Sequence, residues 1–131
     1  MIIFLRLLFL LVLASMLAVT TWASLRCPLF GVPREVFTHP WFIATLADAY
    51  WGFITFFVWV CYQWPHWLAR LGWFIAIMLL GNIAMAVYCL ALLFRAPRDA
   101  APATLLTRQN QGRGGFGWLL AAIGVIIVAL A

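Results

Sequence analysis

The sequence predicts an all-helical membrane protein, a polytopic bundle of four transmembrane spans forming one integral domain over residues 1–131. Three observations lead there. Hydrophobic residues make up 68% of the chain and charged residues only 8%, whereas a water-soluble domain carries about a quarter charged residues. Mean hydropathy is +1.11. The apolar residues also gather into four runs, separated by segments rich in proline, glycine and arginine. Such a chain cannot cover a water-facing surface, which excludes a soluble enzyme, a disordered chain and a nucleic-acid module.

A helix crosses the hydrocarbon core with about 20 apolar residues. The first run, 2–24, has one charge, Arg6, near enough to its end to reach the interface. Its close at Thr21-Trp22-Ala23-Ser24 also resembles a signal-peptide cleavage site, but the apolar run exceeds an ordinary signal core, so an uncleaved helix is expected. The second run, 41–64, contains the single charge Asp48, and the third, 69–94, only Arg70 at its start. The fourth, 116–131, is short, about 24 Å of helix, but uninterrupted.

The connections agree with this division. Residues 26–40 hold Pro28, Pro33, Pro40 and Gly31, which oppose continuous helix. Trp64-Pro65-His66-Trp67 makes a tight hairpin at the aromatic headgroup belt. The segment 95–115 is polar and arginine-rich, and its middle suits a short interfacial helix.

All 8 basic residues are arginines, set against Glu35, Asp48 and Asp99, giving a net charge of +5. They flank the apolar runs, where arginine marks the cytoplasmic side and meets anionic headgroups. With four spans, Arg26, Arg34, Arg95, Arg98, Arg108 and Arg113 share one side and Arg6 and Arg70 the other. That split places the N- and C-termini in the periplasm of a bacterial inner membrane. Arg6, close to the first helix, pulls the other way.

Asp48 is the residue that most needs explanation, because a lone carboxylate within the bilayer costs several kcal/mol. Trp41, Thr45, Asp48, Gly52, Thr55 and Trp59 recur at helical spacing and form one stripe. Threonine and glycine in that stripe mark a helix-packing face. If 41–64 and 69–94 form a hairpin turning at Pro65-His66, Asp48 lies level with Asn82, Thr45 with Ala86, and Tyr50 with Gly81. An Asp48–Asn82 hydrogen bond is therefore expected, with Thr45, Tyr50 and Tyr88 as supporting residues. It would serve either as interhelical glue that sets register or as an intramembrane site that takes a proton or ligand.

Other constellations are thin. His39 and His66 fall in different loops, and Cys27, Cys61 and Cys89 are scattered, so no metal ligand set and no cofactor motif is expected. The aromatics Trp51, Phe53, Phe56, Phe57, Trp59, Trp67, Trp73 and Phe74 suit lipid contact and interfacial anchoring, or the walls of a site for an isoprenoid, carotenoid or quinone ring. No catalytic residues are assigned.

The segment Thr38-His-Pro-Trp-Phe-Ile-Ala-Thr-Leu-Ala-Asp-Ala-Tyr-Trp-Gly-Phe, then Gly81-Asn-Ile-Ala-Met-Ala, resembles a family of small multi-span membrane proteins of bacteria and plants, catalogued only as a domain of unknown function. Ser15-Met-Leu-Ala-Val-Thr-Thr-Trp-Ala-Ser resembles it too. The likeness covers about residues 1–95 and leaves the fourth helix and the arginine/glycine-rich loop unmatched. It implies a membrane location and no particular chemistry.

The expected function is a small structural or accessory subunit, without catalysis, packing in the bilayer against lipids, other membrane proteins or copies of itself. The alternative is a small membrane enzyme or a binder of an apolar, isoprenoid-like ligand, with Asp48 as the intramembrane acid.

Overall fold

The computed structural model describes residues 1–131, and every regular element in it is helical. Helix α1 (Ile2–Arg26) is followed by a 3-10 turn (Leu29–Gly31), α2 (Arg34–Thr38), α3 (Pro40–Gln63), α4 (Trp67–Leu80), α5 (Asn82–Arg95), α6 (Pro102–Leu106) and α7 (Gly115–Leu130). Proline writes several of these boundaries. Pro40 opens α3, where its missing N–H and fixed φ are tolerated. Trp64 takes an extended conformation ahead of Pro65 and ends α3. His66 then starts α4, its Nδ1 accepting a hydrogen bond from the Leu68 N–H at 3.2 Å.

Two helices, α1 and α3, are long and apolar enough to cross a membrane. At about 1.5 Å per residue, their 25 and 24 residues extend well beyond a hydrocarbon core of about 30 Å. Helices α4 and α5 have 14 residues each, about 21 Å, and neither reaches across alone.

The expected continuous span over 69–94 is not formed. Gly81, at φ 54° and ψ −123°, breaks the run, and the chain reverses there. The rings of Trp73 and Tyr88 meet edge-on with centroids 4.7 Å apart. In one straight helix they would be separated by about 22 Å. That backbone geometry is the mirror image of extended chain, open to glycine and closed to L side chains. A uniformly apolar run shows no sign of the reversal, since both faces of a hairpin buried among other helices are apolar as well.

The remaining helices register against this hairpin. Helix α3 runs antiparallel to α4, with Phe57 against Phe74 at 5.1 Å and the Tyr50 hydroxyl donating to the Met78 carbonyl at 3.4 Å. Helix α1 runs antiparallel to α5, and Arg6 donates to the carbonyls of Leu93 (2.8 Å) and Ala96 (3.0 Å). The Leu93 carbonyl also accepts the capping bond from the Ala96 N–H at 3.3 Å, and Arg6 completes this helix end. Helix α7 lies parallel to α4, with Gly114 against Ala69 at its start and Gly124 against Leu79 and Leu80 near its end.

The α4–α7 contact is a reciprocal clasp. The Trp118 ring lies over Gly72, and its Nε1 donates to the Leu68 carbonyl at 3.0 Å, while the Trp73 ring lies over Gly117. Each Gly-Trp pair supplies a notch and a plate to the other. Close backbone approach at small residues brings the two helices into extensive dispersion contact. The main core gathers here around Val60, Trp73, Ala76, Ile77, Leu80, Ala84, Tyr88, Leu120 and Ala121. A second cluster of Ile2, Leu93, Ala96 and Leu105 closes the base of α1 and α5.

The reversal changes which loops share an end. The N-terminus, the α3–α4 turn, the close of α5 and the segment 96–114 lie together at one end of the bundle. The Leu29 N–H donates to the Ala131 carbonyl at 2.8 Å at the other end. The expectation of both termini on one side rested on four through-going helices; the folded hairpin puts the chain ends at opposite ends. Arg6, Arg70, Arg95, Arg98, Arg108 and Arg113 now collect with the N-terminus, and Arg26 and Arg34 lie at the far end.

Candidate functional site

The hairpin reversal also decides the fate of the expected polar pair. Asp48 and Asn82 are both exposed, and the Asp48–Asn82 hydrogen bond is not formed. The α3–α4 register holds as far as Gly81, but there the backbone turns and Asn82 no longer continues the line of α4. The supporting residues are dispersed as well. The Thr45 hydroxyl donates to the Trp41 carbonyl of its own helix at 2.8 Å. Tyr50 reaches α4 at Met78 and packs edge-on with Phe53 at 5.3 Å. Tyr88 sits in the core two to three turns of α3 away from Asp48, against Phe56 and Trp59.

Near its start α3 packs against α2, through Phe37 and Phe42 at 5.5 Å. Trp41, Thr45, Asp48, Gly52 and Thr55 are all exposed along it. No atom lies within 4 Å of where a Gly52 side chain would begin. Thr55, like Thr45, satisfies its hydroxyl on the preceding turn, donating to the Trp51 carbonyl at 2.9 Å. The Asp48 carboxylate has no hydrogen-bond partner in its own chain.

Inside the bundle, polar groups converge at the hairpin base instead. Gln63 is fully buried. Its Nε2 donates to the Leu105 carbonyl at 2.7 Å, its Oε1 accepts from the Tyr88 hydroxyl, and its own carbonyl accepts from the Asn110 N–H at 2.6 Å. Nearby, Trp59 Nε1 donates to the Leu106 carbonyl at 2.9 Å and Arg70 Nε to the Trp64 carbonyl at 2.6 Å. This knot ties α3 and α5 to the segment carrying α6. A buried glutamine is affordable only with its donors and acceptor matched. The sequence signal for Gln63 is an amide closing an apolar run, and nothing in the sequence selects Tyr88 and Asn110 as its partners from the other polar groups downstream.

Spaces adjoin the hairpin at both of its ends. Next to the knot, a cavity of about 40 Å³ is lined by Trp64, Trp73, Tyr88, Arg95, Asn110 and Phe116 among others. The indole N–H groups of Trp64 and Trp73 are buried without hydrogen-bond partners. Beyond the hairpin tip, a cleft of about 380 Å³ opens between α1, the Gly81 turn and the end of α7, and Met16, Thr20, Ser24, Leu80, Ile83 and Ile127 are among its lining residues. It is mostly apolar, and Asp48 does not border it. No group of three His, Cys, Asp or Glu side chains is arranged to hold a metal. The three cysteines are unpaired.

Residues 1–112 match DUF1475, a family described as protein of unknown function. The chain belongs to the DUF1475 family. The match takes in α1 to α6, so most of the arginine-rich loop, which the motifs had left unassigned, lies within the DUF1475 region. Helix α7 falls outside it, although α7 closes the face of α4 that carries Gly72 and Trp73. Comparison with curated proteins and with solved structures returned no match.

Proposed function

We propose that this DUF1475 protein is an integral membrane accessory subunit that docks a second membrane protein along the exposed stripe of α3. The observation that carries this reading is Asp48, exposed among Trp41, Thr45, Gly52 and Thr55 with no partner in its own chain. A carboxylate facing hydrocarbon costs about 2.5–3.5 kcal/mol even on insertion scales. A neighbouring helix that supplies a donor removes that penalty, and Gly52 lets its backbone come close.

In this reading α1, α3 and α7 cross the bilayer, and the α4–α5 hairpin enters and leaves by the arginine-rich end. Six arginines at that end, against Arg26 and Arg34 at the other, orient it to the cytoplasm by the positive-inside rule. The N-terminus is then cytoplasmic, the C-terminus lies across the membrane, and Arg6 agrees with the majority.

The test is crosslinking in native membranes from a photoreactive residue at position 52. A discrete protein adduct, weakened by Asp48→Leu and kept by Asp48→Asn, is the expected result. Adducts with lipid alone would overturn the proposal. The apolar cleft beyond the hairpin tip supports a second reading, a binder of an isoprenoid-like ligand. Co-purification of one apolar small molecule, lost when Ile83→Trp fills the cleft, would favour that reading. Asp48 has no part in it as the acid, since it lies outside the lining.

A further inference from the structure

We infer that the cavity at the hairpin base is an anion site that takes a phosphate group, supplied by the headgroup of an anionic phospholipid. Unused polar groups surround it. Trp73 is only 2% exposed, and its indole N–H, like that of Trp64, has no partner. Both rings line the cavity together with Arg95 and Asn110. Of the arginines, only Arg6 and Arg70 hydrogen-bond within the chain, so the Arg95 guanidinium has every donor free. Asn110 uses its backbone N–H on Gln63 and leaves its side-chain amide free.

The free groups are therefore two indole N–H donors, a guanidinium and an amide, with no carboxylate among the lining residues. That set calls for an acceptor, and its charge calls for an anion. A cavity of about 40 Å³ holds little more than one water-sized group. It suits one phosphate oxygen, with the others outside on Arg95, a residue type whose planar fork matches phosphate. Arg98, Arg108 and Arg113 on the segment 96–114 add positive field at this end, where Asp99 is the one acid. Indole rings and arginines at headgroup depth are also where a membrane presents its phosphates.

The source of the phosphate rests on the proposed membrane orientation, whereas the anion chemistry does not. The full-length protein in a neutral detergent is titrated with short-chain phosphatidylglycerol, phosphatidylcholine and inorganic phosphate, and bound species are counted by native mass spectrometry. Phosphatidylglycerol is expected to bind best. Arg95→Gln should weaken it by about tenfold or more, the loss of charge-assisted hydrogen bonds. Trp64→Phe, which keeps a ring and removes the N–H, should weaken it severalfold, and Arg26→Gln at the far end should not. Trp73→Phe serves as a second indole variant if Trp64→Phe does not fold. Equal losses from Arg26→Gln and Arg95→Gln would reduce the effect to net charge and overturn the site. Indifference to headgroup charge would overturn it as well. Competition by inorganic phosphate at comparable affinity would keep the anion site and make the free ion its source. Labelling of Cys27 from the periplasm reports the orientation separately, so failure of the site and failure of the topology are told apart.

Discussion

Substituting Gly81 by alanine tests the hairpin at its hinge. Two costs arise at once. The backbone there, φ 54° and ψ −123°, lies where L residues are strained by about 1–3 kcal/mol. The new methyl group would also begin 2.7 Å from Cζ of Phe53, with the two neighbouring ring carbons at 3.2 and 3.3 Å. Phe53 packs against the core and Tyr50, so its ring cannot simply swing away. Overpacking of this kind costs about 1–3 kcal/mol. Together the Gly81→Ala protein should lose about 2–6 kcal/mol, read by reversible unfolding with SDS in mixed micelles. The two parts can be separated. Phe53→Ala removes the steric term, so the Gly81→Ala penalty on that background should fall by about 1–3 kcal/mol and leave the backbone term. A Gly81→Ala protein within about 0.5 kcal/mol of the parent, the range of an ordinary surface change, would refute the hairpin geometry. So would an undiminished penalty in the presence of Phe53→Ala, as far as the ring contact is concerned.

Four further outcomes are expected. Gly117→Leu drives a side chain into the Trp73 ring, which lies 2.9 Å from the first added carbon; it should destabilise the α4–α7 pair by at least about 1–3 kcal/mol and expose α7 to protease in detergent. Tyr88→Phe leaves the Gln63 Oε1 buried without its donor and should cost about 1–3 kcal/mol, a loss that Gln63→Leu on the same background should reduce in a double-mutant cycle. Arg6→Leu removes the charged donor to the Leu93 and Ala96 carbonyls, and unfolding should show a loss of about 1.5–3 kcal/mol. An impermeant maleimide applied to intact spheroplasts should label exposed Cys27 and spare buried Cys89 until the protein is unfolded; a Cys27 that reacts only after the membrane is permeabilised would invert the proposed orientation.

Composition and hydropathy were enough to determine that the chain is helical and that its first and second apolar runs become long helices, because chain-wide apolarity and proline boundaries act locally. The α3–α4 register was legible for the same reason. It follows from a tight turn at Pro65-His66 and equal rise along two helices, and the Phe57–Phe74 and Tyr50–Met78 contacts obey it. Tertiary structure decided the rest. Gly81 can continue a helix or reverse one, and the choice depends on whether Trp73, Tyr88 and Gln63 can pack together afterwards, a gain between residues distant in sequence. Once the reversal is made, Asn82 leaves the face of Asp48, the chain ends separate, and six arginines gather at one end. The Gly-Trp pairs at 72–73 and 117–118 were visible as letters; that each tryptophan covers the other pair's glycine is a consequence of α7 lying parallel to α4. A sequence states which groups must be buried or matched. Which partner satisfies each one is settled only when all the helices compete for the same contacts.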